Sequence, residues 1–124
     1  MYNVLETRVA GILCSHNVDY KYEKIFKADN RNGFLSVDFF INGVTPMVIE
    51  VTYWDDVEEK AEQIPKKFNL VKRALPEMWF MLVTKPSMVH KYKAILPNTI
   101  LVLDAYGLEH KIAGSGVTIP KPNG

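Results

Sequence analysis

Apolar positions divide the chain into segments of two different periods. From Val4 to about Cys14 the apolar residues Leu5, Val9, Ile12 and Leu13 share one helical face, and Asn3 precedes them as an N-cap, so a first helix is expected. Val18, Tyr20 and Tyr22 alternate with charged residues as in a strand, an alternation that weakens near Ile25-Phe26, and Asp29-Asn30-Arg31-Asn32-Gly33 reads as a turn cluster. Phe34 to Ile41 and Met47 to Tyr53 are β-branched and aromatic runs flanking Asn42-Gly43, the pattern of a hairpin. Beyond Trp54 the period lengthens. Val57, Ala61, Ile64, Phe68, Val71 and Leu75 recur at steps of four and three, marking one face of a long helix opened by Asp55-x-x-Glu58, with a kink or break expected at Pro65. Met78 to Thr84 reads as a buried strand, Ser87 as the cap of a short helix to about Ile95, and Thr99 to Leu103 as another strand. A last hairpin turning at Tyr106-Gly107 into Glu109 to Ile112 is also expected. The pattern gives one α/β domain over residues 1–113 and a Gly/Pro-rich tail over 114–124.

Each hairpin strand carries a carboxylate at its centre, Asp38 in one and Glu50 in the other. Burying an unpaired carboxylate costs several kcal/mol at least, and two facing acids raise each other's pKa, so the pattern asks for a compensating cation. A hard divalent ion such as Mg²⁺ or Mn²⁺ is suited to this, because it takes oxygen ligands from one or two carboxylates and completes its shell with water or phosphate. Register decides whether both acids can serve one ion. A strict two-residue loop would pair Asp38 with Met47 and send Glu50 to the opposite face; an odd loop, for example three residues over Asn42, Gly43 and Val44, would pair Asp38 with Val48 and bring Glu50 and Thr52 to its side.

Composition limits the alternatives. A chain of 124 residues can bury about two thirds of its unfolded surface as one domain. The single cysteine excludes an internal disulfide, and no apolar stretch suits a signal peptide or membrane span, which together imply a soluble intracellular protein. A formal net charge of +1 is no nucleic-acid footprint in itself, although Lys66, Lys67, Lys72 and Arg73 cluster, as do Lys85, Lys91 and Lys93. Cys14 and His16 sit two apart at a helix end, where side chains do not face each other, so Cys14 reads as a small buried filler. The histidines His16, His90 and His110 show no ligand spacing. Trp54 and Trp79 read as packing residues, and Tyr53-Trp54 lies where a bound base could stack.

The order helix, three strands, helix, strand, helix, strand, with acids on the second and third strands, resembles the PD-(D/E)xK nuclease superfamily. This is the restriction-endonuclease-like fold of type II restriction enzymes and archaeal Holliday-junction resolvases, and the resemblance spans roughly residues 3–105. Val37-Asp38 stands where the family has Pro-Asp, and Glu50-Val51-Thr52 where it has Asp/Glu-x-Lys, so Thr52 replaces the lysine that acts at the scissile phosphate. The resemblance implies an α-β-β-β-α-β-α-β domain with a mixed central sheet flanked by helices. It further implies a metal-dependent endonuclease or phosphodiesterase on DNA, with Mg²⁺ (or Mn²⁺) held by Asp38, Glu50 and the Val51 carbonyl.

Some relatives carry the functional lysine on the following helix. Asp56, Lys60, Gln63 and Lys67 form one stripe there, making Lys60 and Lys67 candidates for that role and Gln63 an orienting group; the same stripe also reads as a solvated face. Glu6 is the counterpart of an acid that joins the site from the first helix in several relatives, and equally the partner of Asn3 in a capping box. Small domains of this family commonly act as dimers, so a homodimer is possible. The alternative reading is a catalytically inactive nuclease-like module that binds nucleic acid or a protein partner. A third is a structural subunit whose buried acids are satisfied by internal lysines.

Overall fold

The computed structural model describes residues 3–27, 34–43, 45–53 and 57–115, without the side chains of Phe34 and Ser115. Its elements are α1 (Val4–Ser15), β1 (Lys21–Lys27), β2 (Phe34–Ile41), β3 (Met47–Val51), α2 (Val57–Ala74), β4 (Trp79–Val83), a 3-10 turn (Pro86–Met88), α3 (Val89–Ile95), β5 (Ile100–Leu103) and α4 (Ala105–Ser115). The five strands form one sheet in sequence order. β1, β2 and β3 run antiparallel to their neighbours, whereas β3, β4 and β5 are parallel, because α2 and α3 carry the chain back across the sheet between them. The fold class is therefore mixed α/β with helices on both sides. α1 and α4 cover one face through Leu5, Val9, Leu13, Leu108 and Ile112. α2 and α3 cover the other through Ile64, Val71 and Tyr92. Among the described residues no helix is long and apolar enough to cross a membrane.

Several local expectations hold for the reasons given. Asn3 Oδ1 accepts from the Glu6 backbone at 2.7 Å, capping α1. The shared face of α2 is kept, but the break expected at Pro65 is absent: the helix runs through it. A proline there loses one helical hydrogen bond and crowds the preceding turn, but Ile64 and Val71 are buried on either side of it, so packing on the sheet holds the helix together.

Other expectations are corrected. β1 begins only at Lys21, after Val18 and Tyr20, and continues through Ile25 and Phe26 to Lys27, where Phe26 meets Phe40 edge to face with centroids 5.6 Å apart. Ser87 lies inside the 3-10 turn, where no side chain caps the start. The final hairpin is a helix. Ala105, Leu108 and Ile112 are buried at a helical spacing, and Asp104 caps α4 by accepting the Gly107 N–H at 2.7 Å. α4 also takes in Gly114 and Ser115 of the expected tail. Cys14 is exposed and no core filler, with its sulfur 3.8 Å from the Tyr20 hydroxyl. Trp79 is 39% exposed and lies under the Lys111 ammonium, 4.2 Å from the ring centroid, so it is a surface ring more than a packing one. The turn cluster at Asp29 to Gly33, Trp54, the Asp55 cap, Asp56 and residues 116–124 lie outside the described residues.

The helical assignment of the last element has a direct check. Asp104→Ala removes the α4 cap and should lower stability by about 1 kcal/mol in denaturant unfolding. A hairpin turning at Tyr106-Gly107 would not depend on that carboxylate.

Candidate functional site

The connection between β2 and β3 runs over residues 42–46, longer than the three-residue turn expected but still odd in number. Phe39 pairs with Ile49 and Phe40 with Val48, so Val48 does not face Asp38. One step further along this register Asp38 stands opposite Glu50. β3 stays regular there: Ile49 belongs to the core under α1 and α4, Val48 to the core under α2 and α3, and Glu50 by alternation faces α2.

β2 is less regular at the same level. Phe39 and its β1 partner Tyr22 pack in the α1–α4 core, whereas Val37, the partner of Lys24, packs in the α2–α3 core. The alternation breaks between them, at Asp38 and the residue facing it on β1, Glu23, whose φ of 53° is in the left-handed region. Such a conformation in a non-glycine costs on the order of 1–3 kcal/mol and persists where its surroundings hold it. Asp38 is thereby turned toward the end of β3, where its Oδ2 accepts the Val51 N–H at 2.8 Å. The next amide, Thr52 N–H, donates to the Val83 carbonyl of β4, so the peptide groups of Val51 itself face the β2 side. The Val51 carbonyl is accordingly directed to the same gap as the Asp38 carboxylate.

Glu50 is 7% exposed. Burial first, then the hydrogen bond and charge of Asp38, raise its pKa from near 4.5 to about 8. Lys67 pulls the other way: its Nζ lies 2.6 Å from Glu50 Oε1 across from α2. That ammonium is Oε1's counter-charge, and the oxygen has no other hydrogen-bond partner. The lysine is a third exposed and so does not outweigh burial and the facing acid. Burial and the facing acid therefore favour the protonated form of Glu50 at neutral pH.

A pocket of about 80 Å³ opens here, lined by Glu50, Val51, Thr52, Lys60, Gln63, Ile64, Lys67 and Leu82. The stripe on α2 thus reaches the acid-bearing strand, and of its two lysines Lys67 is the one paired with Glu50. Gln63 is exposed, with its amide donating to Glu59 Oε1 at 3.2 Å on the same helix. The Thr52 hydroxyl is buried without a hydrogen-bond partner. Glu6 lies on the far side of the sheet. It keeps its capping contacts with Asn3 and accepts a hydrogen bond from the Tyr22 hydroxyl at 2.6 Å. That bond, burial and the charges of Glu6, Glu23 and Asp38 push the Tyr22 phenol well up. Tyr22 is therefore bonded to Glu6 and within reach of the Asp38 charge, a position its strand alternation did not mark as part of any site. Beyond the pocket strand, Tyr53 is 41% exposed and has the Lys85 ammonium 4.8 Å from its ring centroid.

Among the described residues no group of three or more His, Cys, Asp or Glu side chains converges on one point. The donor set at Asp38 and Glu50 is two carboxylates and a carbonyl, all hard oxygens. Such a set fits a cation that completes its shell with water.

No family model matches the chain, and no curated protein matches it. Solved structures that match include the crystal structure of a protein of unknown function, AF1548, at 14% identity and a TM-score of 0.49. The match covers 89% of this chain and 55% of that one, so the chain spans little more than half of that protein's length.

The raised Glu50 pKa fixes the sign of a pH effect. Between about 4.5 and about 8 the folded carboxyl keeps a proton that the unfolded chain has lost, so its contribution to stability declines as pH rises through that window. Thermal unfolding without divalent ions should show this decline, and Glu50→Gln should flatten it. An unchanged pH profile in the variant would mean that Glu50 titrates normally.

Proposed function

We propose that the protein is a Mg²⁺-dependent phosphodiesterase acting on DNA, as the resemblance to PD-(D/E)xK nucleases implies. The observation that carries this reading is the buried Glu50 beside the half-buried Asp38, with Lys67 against Glu50 at a pocket at the open end of β3. Asp38, Glu50 and the Val51 carbonyl would hold the ion. Bound there, Mg²⁺ supplies a Lewis acid for the phosphate and an acidified water as nucleophile.

The chain's own residues account for the rest. Loss of the Glu50 proton leaves that carboxylate free to act as a ligand beside Asp38. Lys67, half-buried beside Glu50, then offers its ammonium to the phosphate charge that develops in the transition state, the part Thr52 cannot play. Lys60 lies on the same pocket wall and Gln63 at its rim. The exposed Tyr53 ring beside Lys85 suits a base and backbone phosphate next to the pocket. A homodimer would place two such sites on one duplex.

One observation favours a second reading. The Lys67 ammonium is already engaged, 2.6 Å from Glu50 Oε1, and Thr52 occupies the motif lysine's position, as in a catalytically inactive nuclease-like module that binds nucleic acid or a protein partner.

Cleavage of supercoiled, branched and single-stranded DNA with Mg²⁺ or Mn²⁺ separates the two. The parent should cut, and Lys67→Ala should reduce the rate on the order of a hundredfold, as loss of a transition-state charge contact does. Lys60→Ala should have the smaller effect, and Thr52→Lys should maintain or raise the rate. A parent that binds DNA without metal-dependent cutting is the inactive module.

A further inference from the structure

Among the described residues, three buried side-chain polar atoms have no hydrogen-bond partner: Glu50 Oε1, Thr52 Oγ1 and Thr84 Oγ1. Folded proteins satisfy the great majority of such atoms, with protein or with ordered water. Glu50 Oε1 has the Lys67 ammonium; the two hydroxyls have nothing, although Thr52 is 5% exposed and Thr84 0%.

Their positions are related. Val51 pairs with Val83 in the parallel ladder of β3 and β4, and Thr52 N–H donates to the Val83 carbonyl, so Thr52 and Thr84 are the next residues in register beyond the two strand ends. Thr84 remains tied to the sheet on its other side, its N–H donating to the Leu103 carbonyl at 2.9 Å. Val83 packs under α1 and α4, so Thr84 by alternation faces α2 and α3, the side on which Thr52 lines the pocket. The two threonine side chains thus stand in neighbouring register positions on one face of the sheet, and their hydroxyls do not bond each other. Strands lie about 4.8 Å apart, a separation that one water, bonded to each oxygen at about 2.8 Å, can bridge.

We propose that Thr52 and Thr84 hold a single buried water between their hydroxyls, and that Thr84, through this water, is the positioning residue that fixes the Thr52 hydroxyl at the wall of the pocket. The ligand is water, because Thr84 is sealed from solvent and nothing larger reaches it. The water site itself stands on burial and register alone. Its consequence for catalysis rests on the nuclease reading.

Thr→Val replaces the hydroxyl by a methyl of nearly the same size, which makes the site testable by a double-mutant cycle in thermal unfolding. Thr52→Val and Thr84→Val should each lower the melting temperature by roughly 2–6 °C, since each removes one partner of the water. The double variant should lose no more than the larger single loss, because a water without either hydroxyl leaves. Thr84→Ser should stay near the parent, and a high-resolution crystal structure should show a water within hydrogen-bond distance of both oxygens. Single variants that are unchanged or more stable, or losses that add, overturn the proposal. If the parent cleaves DNA, Thr84→Val should lower kcat with little change in KM and Thr84→Ser should restore it; a kcat unaffected by Thr84→Val overturns the positioning role. A parent that does not cleave removes the nuclease reading, while the stability cycle still decides the water.

Discussion

The confrontation of Asp38 and Glu50 across two antiparallel strands governs the architecture around it. A sheet centre buried by helices on both faces is a poor place for two carboxyls, and each neighbouring feature relieves part of that conflict. The end of β3 gives an N–H to Asp38, α2 gives an ammonium to Glu50, and a retained proton removes one charge. The left-handed backbone at Glu23 and the change of face at Asp38 are the conformational cost of turning the aspartate toward β3. What remains is a buried Glu50 carboxyl with a raised pKa, placed between the Asp38 carboxylate and the Lys67 ammonium.

The parallel half of the sheet supplies the setting. α2 must cross from β3 back to β4, which lays its Lys67 and Ile64 over the open end of β3 and makes the pocket wall. In open α/β sheets, ligands commonly bind beyond the carboxyl ends of the strands, and Glu50, Thr52 and Thr84 lie at that end of β3 and β4. α1 and α4 take no part in that wall. They seal the opposite face, and the tie from His16 Nε2 to Glu109 Oε2 at 3.1 Å joins them there. The site and the closing of the fold are thus assigned to different sides of one sheet.

Much of this arrangement was legible in the sequence because period is a strong signal. The 3.6-residue recurrence from Val57 to Leu75 outweighed Pro65, and the two β-branched runs gave both acid-bearing strands. Parity set a condition that the sequence left open: an odd connection brings Asp38 and Glu50 together, and the connection over residues 42–46 is odd, whereas the break in alternation at Asp38 was not foreseen. The last element was misread because Tyr106-Gly107 resembles a turn, whereas the capping carboxylate of Asp104 and the spacing of Ala105, Leu108 and Ile112 define a helix. Tyr22 and Thr84 stayed hidden for another reason. Their importance lies in partners distant in sequence or in the lack of partners, which no local pattern records.

If Asp38 and Glu50 hold a divalent ion as proposed, that ion must displace the proton that burial favours on Glu50. Isothermal titration calorimetry of Mn²⁺ into the protein at neutral pH, repeated in buffers of different ionisation enthalpy, measures binding and proton release together. The account predicts one site per chain, release of about one proton per ion bound, and loss of both in Glu50→Gln. Binding without proton release, or no binding at millimolar Mn²⁺, would contradict it.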